Sequence, residues 1–104
     1  MGERTENVVP GDLMRTLGIL LRTIESRKTA DPENSYTARL LTGSDDQVIK
    51  KLTEEAFEMA MAIKDRDHDH IRYEAADLLY HFLVVISKVG ISPEELAGEL
   101  DARM

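Results

Sequence analysis

The chain contains no cysteine. Disulfide bonds and thiolate metal sites are therefore excluded, and a cytoplasmic location is expected. It is also short of bases, with 13 Lys and Arg against 20 Asp and Glu, a net charge of -7 and a pI near 4.9. That balance argues against a nucleic-acid surface. A phosphorylated substrate remains compatible if a metal and a few local bases invert the field. Long apolar runs are missing too. The longest, Phe82 to Ile86, is far too short to span a bilayer, so no membrane partner is expected. Met1 to Gly11 is polar with no apolar h-region, so no signal peptide is expected. There is no P-loop, no G-x-G-x-x-G, no Ser-His-Asp grouping and no zinc signature. Nor is there an internal repeat, a low-complexity stretch or a convincing strand.

What is present reads as one all-α domain. The 104 residues, 42% hydrophobic and 32% charged, are ordinary for a soluble globular chain. A monomer of this size buries a modest core, so a bundle completed by dimerisation is expected. Residues 1–11 read as a flexible N-terminal tail and 12–104 as the folded domain. Asp12 caps a helix of about 13–28, with Leu13, Met14, Leu17, Leu20, Leu21 and Ile24 at helical spacing. Pro32 and its polar neighbours mark a loop. Tyr36 to Leu41 forms a short helix stopped at Gly43. Ser44 and Gln47 open a helix running to about Lys64. Its expected apolar face is Val48, Ile49, Leu52, Ala56, Met59, Ala60 and Ile63. Asp65-Arg66-Asp67 is a turn, and Asp67 caps a helix of about 68–89 that is apolar nearly all round. Gly90 ends that helix. Ser92-Pro93-Glu94-Glu95 opens a last one, about 93–103, offering Leu96 and Leu100 to the core. That makes about four main helices.

Two carboxylate motifs stand out: Glu55-x-x-Glu58 and Glu74-x-x-Asp77. Spacing of i,i+3 puts both acids of each pair on one helix face. The segment between Glu58 and Glu74 is long enough for one helix to end and a second to return antiparallel, bringing the pairs face to face. Four carboxylates beside an apolar core repel one another, by about 4 kcal/mol for a pair 4 Å apart at an effective dielectric near 20. They require protons, bases or a hard cation, and all-oxygen ligands suit Mg²⁺ or Mn²⁺. Lone E-x-x-E motifs are ordinary solvated helix faces. Here, however, Glu74 and Asp77 sit in the most apolar helix, where ionised groups are expensive unless compensated. His81, one turn after Asp77, reads equally as a core histidine, a partner of an acid or a substrate contact. His68 and His70, at a helix start among acids, read as exposed. Lys50 and Lys51 read either as i,i+4 partners of Glu54 and Glu55 or as phosphate contacts.

Three segments carry a resemblance to a known family: Arg27-Lys28-x-x-Asp31-Pro32-x-x-Ser35-Tyr36-Thr37, Lys50-Lys51-x-x-Glu54-Glu55-Ala56-x-Glu58, and Tyr73-Glu74-Ala75-Ala76-Asp77-Leu78-Leu79-Tyr80-His81. The paired carboxylates resemble the all-α nucleoside triphosphate pyrophosphohydrolases of the MazG type. Together the three segments resemble phosphoribosyl-ATP pyrophosphohydrolase, which acts second in histidine biosynthesis, and the resemblance covers about residues 13–102. Thr53 stands where many relatives carry Gly. The resemblance implies a MazG-like homodimer hydrolysing phosphoribosyl-ATP to phosphoribosyl-AMP and pyrophosphate. It implies Mg²⁺, or Mn²⁺, held by Glu55, Glu58, Glu74 and Asp77, with Glu54 or Glu55 as catalytic base. It implies Lys28, Ser35, Thr37, Arg39, Lys51 and His81 as substrate contacts. Relatives fused to a zinc-dependent cyclohydrolase carry cysteines that this chain lacks, so only the pyrophosphohydrolase step is expected. Two other readings stay open: a house-cleaning pyrophosphatase for free nucleotides, and a non-catalytic helical dimerisation module.

Overall fold

Each helix begins where a side-chain oxygen can take up its first free amides. In the computed structural model, which describes residues 5–104, Asp12 accepts from the Met14 and Arg15 amides and opens α1 (Leu13–Ser26). A single 3₁₀ turn, Arg27–Thr29, closes the region expected to continue that helix. Ser35 opens α2 (Tyr36–Thr42), Ser44 opens α3 (Asp45–Asp65), Asp67 opens α4 (His68–Lys88) and Ser92 opens α5 (Pro93–Arg103). The described residues hold these five α-helices and no strand. No single helix among them is long and apolar enough to cross a membrane. Of the expected tail, residues 1–4 lie outside the described residues. Residues 5–12 carry no helix, and the Thr5 carbonyl accepts a 2.8 Å bond from Arg72.

The α3–α4 hairpin organises the rest. Its turn places Arg66 at φ 57°, in the left-handed region, a conformation that costs a non-glycine residue about 1–2 kcal/mol. At the far end, Gly90 has φ 85°. The Ile91 amide bonds the Ile86 carbonyl and the Gly90 amide the Ser87 carbonyl, which closes α4 in a Schellman motif. The apolar core gathers at this far end. Ile24 of α1, Leu40 of α2, Val48 of α3, and Leu83 and Val84 of α4 are buried there, with Leu17, Leu20, Leu21, Leu41 and Phe82 packed around them. Lys88 ties the layer down, donating to the Leu41 and Gly43 carbonyls at the C-terminus of α2.

Two expectations are corrected. Of the apolar face expected for α3, only Val48 is buried, while Ile49 is 53% and Ile63 43% exposed. The side of α3 turned inward is instead Val48, Glu55 and Ala62, repeating every two turns. On α4 the polar stripe turns inward likewise, burying Glu74 and His81. The hairpin thus buries acids among its inward residues and leaves part of its apolar surface outside. The second correction concerns α5, which leaves α4 at 110°. Leu100 is 54% exposed, and the space between α5, α1 and the end of α4 is an apolar groove of about 640 Å³.

Candidate active site

Midway along the hairpin α3 presents Glu55 and Glu58 one turn apart, and α4 presents Glu74 from the opposite direction. Single carboxylate oxygens from the three lie within 4.8 Å of one another. Glu74 is fully buried and Glu55 nearly so. One oxygen of each, Glu55 Oε2 and Glu74 Oε1, has no hydrogen-bond partner among the described residues. Buried acceptors are almost always satisfied, so a pair of orphan oxygens in one cluster calls for an occupant. Lys51 stands at the rim, 3.8 Å from an oxygen of Glu54 and 3.8 Å from one of Glu55. The donor set is all oxygen and excess negative, which fits a hard divalent cation.

The electrostatics show how uncomfortable the acids are without one. Burial pushes the Glu55 carboxyl up to about 7, the charges of Asp77, Glu58 and Glu74 add to the rise, and Lys51 opposes it. Glu58 is also raised, first by burial and then by the charge of Glu74 and a hydrogen bond with it. With its carboxyl near 7, Glu55 carries a proton in part of the metal-free molecules at neutral pH. Asp77 lies close enough to raise Glu55 but is outside the three-oxygen cluster.

Beside the acids a second network connects α2 to α4. His81, also buried, sets its Nδ1 2.8 Å from the Asp77 carbonyl oxygen. A carbonyl only accepts, so Nδ1 carries the hydrogen. In the neutral ring Nε2 is then the acceptor, and the Tyr36 hydroxyl donates to it at 3.0 Å. Tyr36 stacks near Tyr80, and the Arg39 guanidinium lies 5.8 Å from its ring centre. Burial raises the Tyr36 hydroxyl pKa while Lys51 opposes, and Glu55 and Asp77 add to the rise. The rise keeps the hydroxyl protonated.

The expected site residues divide accordingly. Glu55, Glu58 and Glu74 come together between α3 and α4, Asp77 and His81 lie on the same helix as Glu74, Lys51 and the 43%-exposed Glu54 stand at the rim, and Arg39 lies against the Tyr36 ring on α2. Ser35 and Thr37 reach the same region with their hydroxyls engaged, Ser35 capping α2 and Thr37 bonding the Tyr80 hydroxyl. Arg39 also donates to the Pro32 carbonyl. Lys28 is not brought in. It pairs with Glu25 at 3.1 Å and lines the apolar groove beside Ser87. Ser87 lies more than three turns along α4 from Glu74, roughly 20 Å at 1.5 Å per residue. Two residues were missed. His70, expected to be exposed, is part-buried and meets Glu74 Oε2 at 3.0 Å. Its i,i+4 spacing to Glu74 was the available signal. Tyr36 sits inside a quoted segment but was given no role, because only the fold brings His81 to it.

Residues 17–104 match the family described as phosphoribosyl-ATP pyrophosphohydrolase. The chain is 50% identical over 84 residues to a phosphoribosyl-ATP pyrophosphatase of Nitrosomonas eutropha, covering 81% of this chain and 72% of that one. It is 46% identical over 88 residues to a phosphoribosyl-ATP pyrophosphatase of Rhizobium rhizogenes, covering 85% of each. It is also 45% identical over 84 residues to a histidine biosynthesis bifunctional protein of Wolinella succinogenes, covering 81% of this chain and 37% of that protein.

Proposed function

The chain belongs to the phosphoribosyl-ATP pyrophosphohydrolase family, and from that membership we infer that it is a hydrolase converting phosphoribosyl-ATP to phosphoribosyl-AMP and pyrophosphate in histidine biosynthesis. The observation that supports the reading best is the cluster of Glu55, Glu58 and Glu74 with two orphan buried oxygens. A charged polyphosphate anhydride is hard to attack with an acidic protein alone, and this cluster is suited to the cation that such chemistry uses.

In this reading Glu55, Glu58 and Glu74 hold Mg²⁺, or Mn²⁺, with Asp77 completing the negative wall. Bound there, the ion neutralises charge developing on the phosphates and lowers the pKa of a water. The remaining work falls to the chain. In the same reading Glu54 or Glu55 takes a proton from the attacking water, and Lys51, within 3.8 Å of both, offsets charge on a bound phosphate. His81 has both ring nitrogens engaged, so it acts through Tyr36 rather than by direct contact. Arg39, Ser35 and Thr37 remain substrate contacts on α2. Lys28 serves the site only if a partner subunit brings it there.

A homodimer is part of the proposal. Phe57 is 64% exposed, Ile49 53% and Leu79 36% on the outward faces of the hairpin, and a second copy covers them at low cost. The net charge of -7 opposes a nucleic-acid partner. We place residues 12–104 as one catalytic domain, without a membrane partner, acting in the cytoplasm.

The test is pyrophosphate release from phosphoribosyl-ATP by purified protein, with and without Mg²⁺. Mg²⁺-dependent release with little turnover of ordinary nucleoside triphosphates supports the reading. Faster turnover of free nucleotides points to a house-cleaning pyrophosphatase. No hydrolysis of either leaves a non-catalytic helical module. Sedimentation as a monomer at micromolar concentration sinks the dimer.

A further inference from the structure

We propose that His70 is a positioning residue that aims Glu74 into the metal cluster, an inference that rests on the metal site proposed above. Glu74 is the fully buried member of the cluster, and its two oxygens have different surroundings. Oε1 is buried without a hydrogen-bond partner among the described residues, and one oxygen of Glu74 lies within 4.8 Å of oxygens of Glu55 and Glu58. Oε2 lies 3.0 Å from His70 Nε2. A carboxylate only accepts, so the ring nitrogen donates. The bond fixes the plane of the carboxylate and spends one oxygen on the helix's own first turn. The other oxygen is then left free to serve as a ligand.

Among the described residues the other members of the cluster, Glu55 and Glu58, are carboxylates and offer no fixed N–H donor. A carboxylate with neither oxygen held would rotate toward any water it could reach, and the cluster would lose its fixed geometry. Removing a hydrogen-bonding partner of a metal ligand typically weakens metal binding or activity 10- to 100-fold. His70 is well placed for the task because its own helix supports it. Its backbone amide is capped by Asp67, and the i,i+4 spacing sets the reach to Glu74. The cap uses only the backbone, so side-chain substitutions leave it intact.

The experiment measures Mn²⁺ affinity of the substrate-free protein by calorimetry and by paramagnetic resonance, for wild type, His70→Leu and His70→Gln. Circular dichroism monitors folding. His70→Leu should bind Mn²⁺ about 10- to 100-fold more weakly than wild type. His70→Gln, whose amide nitrogen reaches a similar position, should stay within about threefold of wild type, by the same hydrogen-bond reasoning. In turnover assays, kcat/KM of His70→Leu should fall at limiting Mg²⁺ and recover substantially at high Mg²⁺. Three outcomes overturn the proposal. One is a folded His70→Leu that binds Mn²⁺ like wild type. Another is a folded His70→Gln as weak as His70→Leu. The third is wild-type protein that binds no Mn²⁺, which also removes the metal site itself. The first two leave that site standing, so the two failures are distinguishable.

Discussion

The two halves of the α3–α4 hairpin bury opposite chemistry. At the end nearest Gly90, Val48, Leu83 and Val84 meet Leu40 and Ile24 in an apolar core. In the half running toward the Arg66 turn, the same pair of helices buries Glu55 and Glu74. Burying a large aliphatic side chain contributes about 1.5–3 kcal/mol. Burying a carboxylate without a partner costs several. One half therefore supplies the stability that the other consumes. A protein under selection for stability alone would fill the second half with leucine. That it keeps acids there, with unpaired oxygens, is the physical argument that this half exists for a ligand.

The sharpest way to break the contrast is to neutralise an acid while keeping its shape. Glu74→Gln removes a charge and a ligand from the fully buried position. Activity should fall more than roughly 100-fold, beyond what losing an outer partner of a metal site costs. Asp77→Asn should act in the same direction. The metal-free protein should respond oppositely, because the change relieves repulsion of about 1–4 kcal/mol per close pair, depending on the effective dielectric. Thermal melts of the apo variant at or above apo wild type, with a smaller rise on adding Mg²⁺, are the expected result. Full activity in either variant would sink the acid half as an active site.

The same logic applied at the other end gives the reverse pattern. Leu40 is 1% exposed at the centre of the apolar core. Leu40→Ala should cost about 2–5 kcal/mol, a transfer term plus a cavity term. Urea denaturation would read the loss directly. Mn²⁺ affinity of the variant, measured where it is still folded, should stay close to wild type. If metal affinity falls in step with stability, the two halves are coupled rather than distinct.

How much of this was legible beforehand follows the same division. The caps at Asp12, Ser44, Asp67 and Ser92 were readable because a side-chain acceptor followed by helical periodicity is a local signal. The meeting of Glu55, Glu58 and Glu74 was readable because two i,i+3 pairs on consecutive helices leave few arrangements. Which face of α3 turns inward was not. Hydrophobic periodicity assigned Ile49 and Ile63 to the core, whereas a single chain exposes both. Periodicity reports which face avoids water, not whether the cover comes from the same chain. Leu100 misled for the same reason. His70 and Tyr36 were missed because a side chain's partner depends on rotamer and tertiary contact, which spacing constrains only loosely.

A pH series sharpens the comparison next. Glu55 has a folded pKa of about 7, against about 4.3 when unfolded. Between those values the folded state binds more protons than the unfolded one, so metal-free stability falls as pH rises. With the rim open to Lys51 and water, the loss should be on the order of 1–3 kcal/mol across that window. It should be fully expressed above about pH 7. Divalent metal competes with the proton, so Mg²⁺ stabilisation should grow over the same interval. Glu55→Gln should flatten the profile of the metal-free protein. Melting temperatures at pH 5 and pH 8, with and without Mg²⁺, provide the check. A metal-free wild type more stable at pH 8 than at pH 5 contradicts the assignment.

The smallest expected effect lies where the halves adjoin. Tyr36→Phe keeps the ring beside Tyr80 and under Arg39, and removes only the hydroxyl that donates to His81 Nε2. His81 is 6% exposed, so its acceptor nitrogen loses its partner with limited access to water. The imidazole stays in place, because Nδ1 still donates to the Asp77 carbonyl. The folded state should lose about 0.5–1.5 kcal/mol, the usual net worth of one neutral hydrogen bond. Mn²⁺ affinity should not change, since neither residue ligates the cluster. The informative quantity is the substrate KM. Should KM rise several-fold at unchanged kcat, the hydroxyl meets substrate, and the active half extends to α2. A drop in stability alone would assign Tyr36 and His81 to the packed half, and the substrate role given to α2 would then rest on Arg39, Ser35 and Thr37.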